Sequence, residues 1–214
     1  MSKNLKYTLR ILTLAVFAFF VTIDGHADKL SELRTKKKIV PVREISAPYY
    51  AIQILALKKS PQNPSFFKSI DRAREFECRD GYVRYTVGRY ESKKEAQQSL
   101  SDVKSNGYPE SFIVDIRDYD LKTGGGKSKD TEIDPDKTYT VQIAAYRYPV
   151  YKDHFEEFDV DEVLEFYPDD KVYRYTVGEF KGSDATDELK KVKEKGYPNA
   201  RLVPLEEYKP FRIE

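Results

Sequence analysis

The chain has 214 residues, with 37 Lys or Arg against 36 Asp or Glu, so its formal net charge is +1. This balance argues against nucleic acid as a partner, because phosphate binding depends on clustered basic residues and the release of counterions. One cysteine excludes a disulfide framework, and with two histidines, one of them His26 near the N-terminus, the sequence predicts no metal site and no other cofactor.

The first 27 residues have the pattern of a secretory signal peptide. Three basic residues within 3–10 precede an apolar run of thirteen, ILTLAVFAFFVTI, and Gly25-His26-Ala27 supplies a small-x-small cleavage pattern. We therefore expect cleavage after Ala27 and a periplasmic or other cell-envelope location, with no stable membrane span. An uncleaved anchor is the alternative, although the run is shorter than the ~20 apolar residues that span a bilayer. The 187 residues that remain carry 34 basic and 35 acidic side chains, a net charge of −1.

The rest of the chain contains one pattern twice. Tyr50-Ala-Ile-Gln-Ile-Leu-Ala-Leu57 aligns with Tyr139-Thr-Val-Gln-Ile-Ala-Ala-Tyr146, Arg84-Tyr-Thr-Val-Gly88 recurs as Arg174-Tyr-Thr-Val-Gly178, and Gly107-Tyr-Pro109 recurs as Gly196-Tyr-Pro198, at offsets of 89 or 90. We predict a first repeat over 50–118 and a second over 139–207, joined by a Gly-rich flexible linker, 119–138. Residues 28–49, here called the leader, contain three consecutive lysines and are expected to be a solvated spacer, with contact to an anionic surface as the alternative. Residues 208–214 form a C-terminal tail.

Each repeat is predicted to run strand, helix, strand, strand, helix, strand. Period-2 alternation and hairpin turns predict strands around 52–55, 73–78, 82–87 and 111–116, and around 141–144, 162–167, 172–177 and 200–205. A capping box, Ser92-x-x-Glu95, begins the second helix of the first repeat and Gly107 ends it. A short turn or helix is expected near Phe66-Phe67 and over 155–158. The fold class is therefore α+β, with a four-stranded antiparallel sheet in each repeat and both helices on one face.

The other face of each predicted sheet is expected to be open. The alternation points Gln53, Leu55, Arg84 and Thr86 outward in the first repeat, and Thr140, Gln142, Ala144, Arg174 and Thr176 in the second. Arg, Thr and Gln on adjacent strands can form a shallow polar groove, which suits an extended ligand rich in hydroxyls and amides.

The order and spacing of these blocks resemble the SPOR (sporulation-related repeat) domain, and the second copy is the closer match. The resemblance implies an RNP-like (ferredoxin-like) βαββαβ fold that binds the glycan strands of peptidoglycan, favouring strands without stem peptides, and it admits other envelope or division proteins as partners. Carried over by position, the expected ligand residues are Gln142, Arg174, Thr176, Gln53, Arg84 and Thr86, and the alternation adds Thr140 to them. Ala56 and Ala145 stand where the family has a small hydroxyl residue, and the first copy has Leu55 and Leu57 in place of a small residue and an aromatic.

Two other classes of function stay open, a scaffold and an RNA-binding module, and an enzyme is not predicted. Degenerate repeats could form a secreted scaffold or bind a protein partner, since residues 50–116 have a net charge of +2 and residues 139–205 a net charge of −4. Sheets with exposed aromatics also occur in RNA-binding modules, although the charge and the signal peptide speak against one. Glycan hydrolysis could use a carboxylate pair among Asp159, Asp161, Glu162 and Glu165, but charge runs are more often solvated faces, so we predict no enzyme.

Some of these side chains also have a purely structural interpretation. Arg84 and Arg174 could pair with a carboxylate on a neighbouring strand, as exposed ion pairs of small energetic value. Tyr85, Tyr175 and Cys78 are expected to be buried in or beside strands.

Overall fold

A computed structural model describes residues 28, 30–122 and 133–213. Within these residues the fold is α+β, with one sheet of five strands, one of four strands, and few helices. The predicted signal peptide and the middle of the predicted linker, 123–132, lie outside the described residues. In the described part of the chain, no helix has both the length and the apolar character needed to cross a membrane.

The first sheet combines the leader with the first repeat. Its strands are β1 (Lys38–Val42), β2 (Tyr50–Leu57), β3 (Arg72–Glu77), β4 (Val83–Tyr90) and β5 (Phe112–Asp115), in the order β1-β3-β4-β2-β5. Only β1 pairs in parallel, with β3. Helix α1 (Lys93–Ser105) packs on one face through Leu100 and Val103. The serine half of the predicted capping box is present, because the Glu95 amide donates to Ser92 Oγ at 3.2 Å, while the Glu95 carboxylate accepts from the Glu91 amide at 2.9 Å.

The second sheet repeats this plan without a counterpart of β1. Its strands are β6 (Thr138–Tyr146), β7 (Val163–Phe166), β8 (Tyr173–Lys181) and β9 (Arg201–Pro204), in the antiparallel order β7-β8-β6-β9. Helix α2 (Gly182–Glu194) packs on one face, and a four-residue helix α3 (Leu205–Tyr208) follows β9. All eight strands predicted in the two repeats are present.

The repeated glycine of the Arg-Tyr-Thr-Val-Gly block has a backbone reason. Gly88 and Gly178 have φ of +70° and +66°, a region that L side chains rarely adopt. A Cβ at either position would overlap the ring two residues later, that of Tyr90 or Phe180. The block therefore recurs because the same irregular strand end is built twice.

The first predicted helix of each repeat is only a 3₁₀ turn, at Pro64–Phe67 and Lys152–His154. Residues 155–158, where a short turn or helix is expected, form a turn in which the Phe158 amide donates to the Phe155 oxygen at 2.9 Å. One buried ring anchors each segment instead: Phe67 and Phe155 each lie 5.0 Å, between centroids, from the matched core tyrosines Tyr85 and Tyr175. A single anchoring ring does not require the apolar stripe of a helix.

The prediction of a solvated leader is wrong. Ile39 in β1 is fully buried in the core under α1, and β1 extends the first sheet by one strand. Lys37 Nζ donates to the backbone oxygens of Phe67, Lys68 and Ile70 at 3.2, 2.6 and 2.9 Å. Lys37 of the basic run therefore binds the leader to the first repeat, and the leader is not a solvated spacer.

The two repeats also pack against each other. The Tyr148 side chain, which follows β6, is buried in the core of the first repeat, and its hydroxyl donates to the Pro61 oxygen at 2.7 Å. The Arg147 amide donates to the Ile39 oxygen at 2.8 Å, and Thr35 of the leader forms a parallel bridge with Val150. The leader, the first repeat and the second repeat thus all contact one another.

Candidate ligand-binding groove

The sheet face predicted to be open is partly covered in both repeats. The chain after β5 and the chain after β9 fold back over it as two covering segments, 116–122 and 205–213, anchored by the buried Ile116 and Leu205. Tyr119 donates its hydroxyl to Gln53 Oε1 at 2.6 Å, and Tyr208 donates to Gln142 Oε1 at the same distance. The predicted linker and tail therefore begin with residues that belong to the folded repeats.

Each covering tyrosine also meets an aromatic side chain. The Tyr119 ring packs edge-on against Phe76 at 5.1 Å between centroids, and the Tyr208 ring lies 5.4 Å from Phe166. Because both contacts join residues at matched positions, the covering is a feature of the repeat itself. The recurrence of Ile116-x-x-Tyr119 as Leu205-x-x-Tyr208, at the same offset of 89, is the sequence feature that could have predicted it.

The two predicted arginines are held by carboxylates on their own hairpins. Arg84 pairs with Asp80 at 3.0 Å and Arg174 with Asp170 at 2.8 Å, four residues earlier in each case and not on the neighbouring strand. Hydrogen bonds from Arg84 lower the pKa of Asp80 to about 2. The guanidinium carbons of Arg84 and Arg174 lie 5.5 and 5.7 Å from the rings of the covering tyrosines.

The three predicted threonines cannot reach a ligand from solvent in this structure. Thr86, Thr140 and Thr176 are fully buried, and the hydroxyls of the last two are 2.7 Å apart. Gln53 is 8% exposed. The expectation of an open face is wrong at these four positions, because the covering segments exclude solvent there. Gln142, Arg84 and Arg174 stay partly exposed.

The uncovered half of the first sheet forms one wall of a groove of about 740 Å³ between the repeats. We call it the inter-repeat groove. The first repeat and the leader contribute mostly basic side chains to it, and the second repeat contributes a strand edge and two loops. The lining residues are Lys38, Val40, Arg72, Arg74 and Arg89 on one side, and 142–146, 154–157 and 196–199 on the other.

Strand register places the basic side chains on the predicted ligand face. Lys38 is the neighbour of Arg72 in the β1–β3 ladder, and Val40 is the neighbour of Arg74. Ile39 and Ala73, which alternate with them, are buried on the α1 side. Since successive side chains point to opposite faces, the cations lie on the face away from α1. The sequence analysis missed these residues because it did not include β1 in the sheet.

The facing wall contains the end of β6. Strand β9 pairs with β6 only as far as Gln142, opposite Arg201, so Ile143 to Tyr146 lie beyond the end of β9 on that side. The loop after α2, with Tyr197 and Asn199, completes this wall. A predicted ligand residue, Gln142, thus borders the same groove as the basic wall.

Four cations of the groove have no acidic partner within the described residues. Neither Lys38 nor the three arginines form an ion pair there; Arg74 and Arg89 donate to the backbone oxygens of Gly88 and Ala47. Burial and the nearby charge of Arg89 lower the pKa of Arg74 to about 10. Burial and the charge of Arg72 lower the pKa of Lys38, and the charge of Glu156 opposes them. The wall is therefore a site of mutual repulsion between cations.

The carboxylates considered for hydrolysis have different surroundings, and Asp161 and Glu162 line a cleft of about 440 Å³ beside α2. Glu165 is fully buried, where it accepts from Arg34 at 2.9 Å and from the Tyr175 hydroxyl at 2.7 Å, while Asp161 and Glu162 are exposed in a 3₁₀ turn. Across the described ranges, His, Cys, Asp and Glu do not gather in any group of three or more that could hold a metal ion.

No protein-family model matches the chain, and no similar curated protein or solved structure was found. The resemblance to the SPOR family accordingly stays a prediction that depends on the repeated motifs.

Proposed function

We propose that this is a non-catalytic protein of the periplasm that binds the glycan strands of peptidoglycan, with the inter-repeat groove as its binding site. One observation carries the proposal. The groove joins the uncovered part of the predicted ligand face in the first repeat to the Gln142 edge of the second repeat.

The fold supports the assignment of both repeats as RNP-like βαββαβ units of the SPOR type. Each contains strand, short 3₁₀ turn, two strands, helix and strand in that order, with the four strands of each repeat in matching positions in the sheet. The 3₁₀ turn stands where the family's first helix is expected. The leader strand β1 and the covering segments are additions to that plan.

The groove offers the chemistry that an amino-sugar polymer needs. Backbone amides and carbonyls at the end of β6, together with the Asn199 amide, can pair with hydroxyl and acetamido groups. The partly exposed rings of Tyr146 and Tyr197 can pack against apolar sugar faces. Each neutral hydrogen bond contributes only about 0.5–1.5 kcal/mol net, so tight binding needs several contacts along an extended strand.

The packing of the repeats makes one composite site rather than two independent ones. Tyr148 of the second repeat is buried in the core of the first, so the two ligand faces keep one relative orientation. Gain of affinity by two modules on a flexible tether is therefore not part of the proposal.

The test is co-sedimentation with purified sacculi, intact and after a limited amidase digestion that removes part of the stem peptides and leaves the sacculi insoluble. Asn199→Trp places a large ring in the groove from an exposed loop position. Glu110→Trp, at the matched and equally exposed position of the first repeat, is the control. We expect wild type and Glu110→Trp to pellet with sacculi, and Asn199→Trp to stay largely in the supernatant.

Each other outcome contradicts a defined part of the proposal. Absence of wild-type protein from both pellets would refute glycan binding. If Asn199→Trp pellets as much as wild type, the binding site does not lie in the groove. Binding that disappears once the sacculi are stripped of proteins would favour the scaffold alternative, and release of soluble glycan fragments would show an enzyme.

A further inference from the structure

We propose that the cleft of about 440 Å³ beside α2 binds an extended segment of another protein, in which a lysine or arginine stands two residues before a branched apolar residue. We call this cleft the α2 cleft. It lies in the second repeat, at the start of β7, and among the described residues it shares no lining residue with the inter-repeat groove. The inference therefore goes beyond the proposed function and adds a second, separate binding site.

The first argument is that the leader supplies such a segment to the first repeat. Strand β1 pairs in parallel with β3 at the edge of the sheet, and Ile39 enters the core under α1. Two residues earlier, Lys37 Nζ lies 3.3 Å from the carboxylate of Asp71, the residue before β3. A basic and a branched apolar residue two positions apart thus close the edge of the first sheet.

The second repeat has the same sheet edge without such a segment. Asp161 matches Asp71 at the offset of 90 that also relates the two Arg-Tyr-Thr-Val-Gly blocks. Strand β7 is the last strand of its sheet, and the bridge of Phe166 with Arg212 is its only pairing on the outer side within the described residues. The start of β7 can therefore accept an added strand, which is how many domains bind extended peptides.

The second argument is the apolar surface of the α2 cleft. Ile70 packs on the core of the first repeat, whereas Val160, at the matched position of the second repeat, is 50% exposed. Because β1 also has no counterpart there, the core under α2 stays open beside β7. Burial of an apolar side chain at this place is favourable in proportion to the area removed from water. The apolar residues that line the cleft are Phe158, Leu164, Val177, Phe180 and Val192.

The third argument is the charge of the cleft. Four carboxylates and two lysines line it, and Lys191 is already paired with Glu188 at 2.7 Å. Asp161 and Glu162 are exposed and form no ion pair with any other described residue. The second repeat has a net charge of −4. A basic segment is therefore attracted to this cleft and an acidic segment is repelled.

The pairing of β1 with β3 also gives the register of the bound segment. Parallel pairing on the same plan places the apolar residue beside Val163 and the basic residue, two positions earlier, beside Asp161. Side chains two positions apart in a strand point to the same face, so both point toward α2. The backbone pairing supplies affinity, and the two side chains supply specificity.

The experiment measures binding of a fluorescent synthetic peptide to residues 28–214 by anisotropy. The probe has the sequence of residues 35–43, TKKKIVPVR, because this segment has the required spacing. Two control peptides replace its isoleucine by serine or its three lysines by glutamate. The test variant of the protein is Asp161→Lys with Glu162→Lys. Its control, Asp102→Lys with Glu110→Lys, makes the same change of charge at exposed positions of the first repeat.

We expect the probe to bind wild type and the control variant equally, and to bind the Asp161→Lys/Glu162→Lys variant about tenfold more weakly or worse. Both control peptides should lose as much affinity for wild type. A photoreactive diazirine leucine in place of the isoleucine should label residues within 158–195. If unfolding curves show that the variant is destabilised, Asp161→Asn with Glu162→Gln replaces it, with an expected loss of about threefold.

Several outcomes would overturn the inference, and they are distinguishable. Equal binding of the probe to the Asp161→Lys/Glu162→Lys variant would refute the site. Labelling of the first repeat would show that the probe has replaced β1 by strand exchange. A wild-type dimer that this variant abolishes would assign the cleft to a second copy of the chain.

Co-sedimentation with sacculi separates this inference from the proposed function. The Asp161→Lys/Glu162→Lys variant should pellet with sacculi as wild type does. If it loses sacculi while it stays folded, the α2 cleft belongs to the glycan site and is not a separate one. Failure of wild type to pellet would refute the proposed function and leave the peptide site standing.

Discussion

The two repeats bury the same acidic residue but neutralise it with arginines from different parts of the chain. Glu75 on β3 and Glu165 on β7 occupy matched positions, and each accepts a hydrogen bond at 2.7 Å from its repeat's core tyrosine. The ion-pair partner comes from outside the repeat in both cases. Arg147 of the second repeat reaches Glu75 at 2.9 Å, whereas Arg34 of the leader reaches Glu165 at 2.9 Å.

The two pairs differ in burial. The side chains of Arg34 and Glu165 are 2% and 0% exposed, while Arg147 is 19% exposed beside Glu75, which also accepts from the Ser60 hydroxyl at 3.0 Å. A buried charge without its partner is strongly destabilising. Neither repeat is therefore complete alone: the leader completes the second repeat, and the second repeat completes the first.

The largest expected effect is that of cutting the chain into its repeats. Residues 50–122 alone lose β1, the buried Tyr148 and the partner of Glu75. The contribution of these three features to the free energy of unfolding approaches the total for a domain this small. We expect 50–122 to lack a cooperative unfolding transition, whereas 28–214 unfolds in one. Thermal melts followed by circular dichroism test this, and a cooperative transition of 50–122 at the midpoint of the intact chain would refute the interdependence.

The next largest effect is a difference in stability between variants of the two buried ion pairs. Arg34→Ala leaves Glu165 as an uncompensated buried charge, at a cost of about 3–5 kcal/mol. Arg147→Ala should cost less, about 2 kcal/mol, because the Ser60 hydroxyl still donates to Glu75 and the space left by the partly exposed Arg147 side chain opens to water. Urea unfolding at pH 7 measures both free energies of unfolding.

The control for this pair is a double variant. Arg34→Ala combined with Glu165→Gln removes the buried charge together with its partner, so it should be more stable than Arg34→Ala alone. Equal losses for Arg34→Ala and Arg147→Ala would mean that the difference in burial has no energetic consequence.

The strands of the repeats could be predicted from the sequence because their information is local. Alternation around Gln53 and Gln142 and the Ser92 cap each depend on a few neighbouring residues, and all are present in the structure. Strand β1 was missed because the lysines before Ile39 and the proline at position 41 obscure a short alternation. Pairing of β1 with β3 joins residues more than thirty positions apart, which periodicity does not reveal.

The candidate site was predicted only in part, for a related reason. The alternation placed Gln53 and Gln142 correctly on the face away from the helices, but it gave no information on what covers that face. The covering depends on Tyr119 and Tyr208, which lie beyond the last predicted strands. Contacts such as Arg147 with Glu75, 72 residues apart, follow from how the repeats pack and have no local sequence pattern.

A smaller loss of stability is expected when either covering tyrosine loses its hydroxyl. Tyr119→Phe removes the hydroxyl that donates to the nearly buried Gln53, so we expect a loss of about 1–2 kcal/mol. Tyr208→Phe should lose about 0.5–1 kcal/mol, because Arg201 also donates to Gln142 Oε1 at 3.3 Å. Urea unfolding of both variants measures the difference, and a larger loss for Tyr208→Phe would contradict it.

The smallest effect concerns acid, and it compares the hairpin ion pairs of the two repeats. Hydrogen bonds from Arg84 hold the pKa of the exposed Asp80 at about 2, below its ordinary 3.8. Burial works to raise the pKa of Asp170, but its hydrogen bond with Arg174 and the charges of Arg174 and Arg43 outweigh burial and lower it. Both carboxylates therefore contribute stability that is present above pH ~4 and is lost as the pH falls toward the folded-state pKa.

Asp170 also pairs with Arg43 of the leader, while the contacts of Asp80 with other described residues lie within its own repeat. Asp170→Asn should therefore lower the free energy of unfolding more than Asp80→Asn at pH 7. Urea unfolding between pH 7 and 3 should show both differences from wild type shrinking below pH ~4, as the wild-type carboxylates take up protons. Asp102→Asn, an exposed substitution on α1, controls for the change of net charge. If the two hairpin variants lose the same amount at every pH, the contact with Arg43 adds nothing, and the leader is held by its other contacts, those of Arg34, Lys37 and β1.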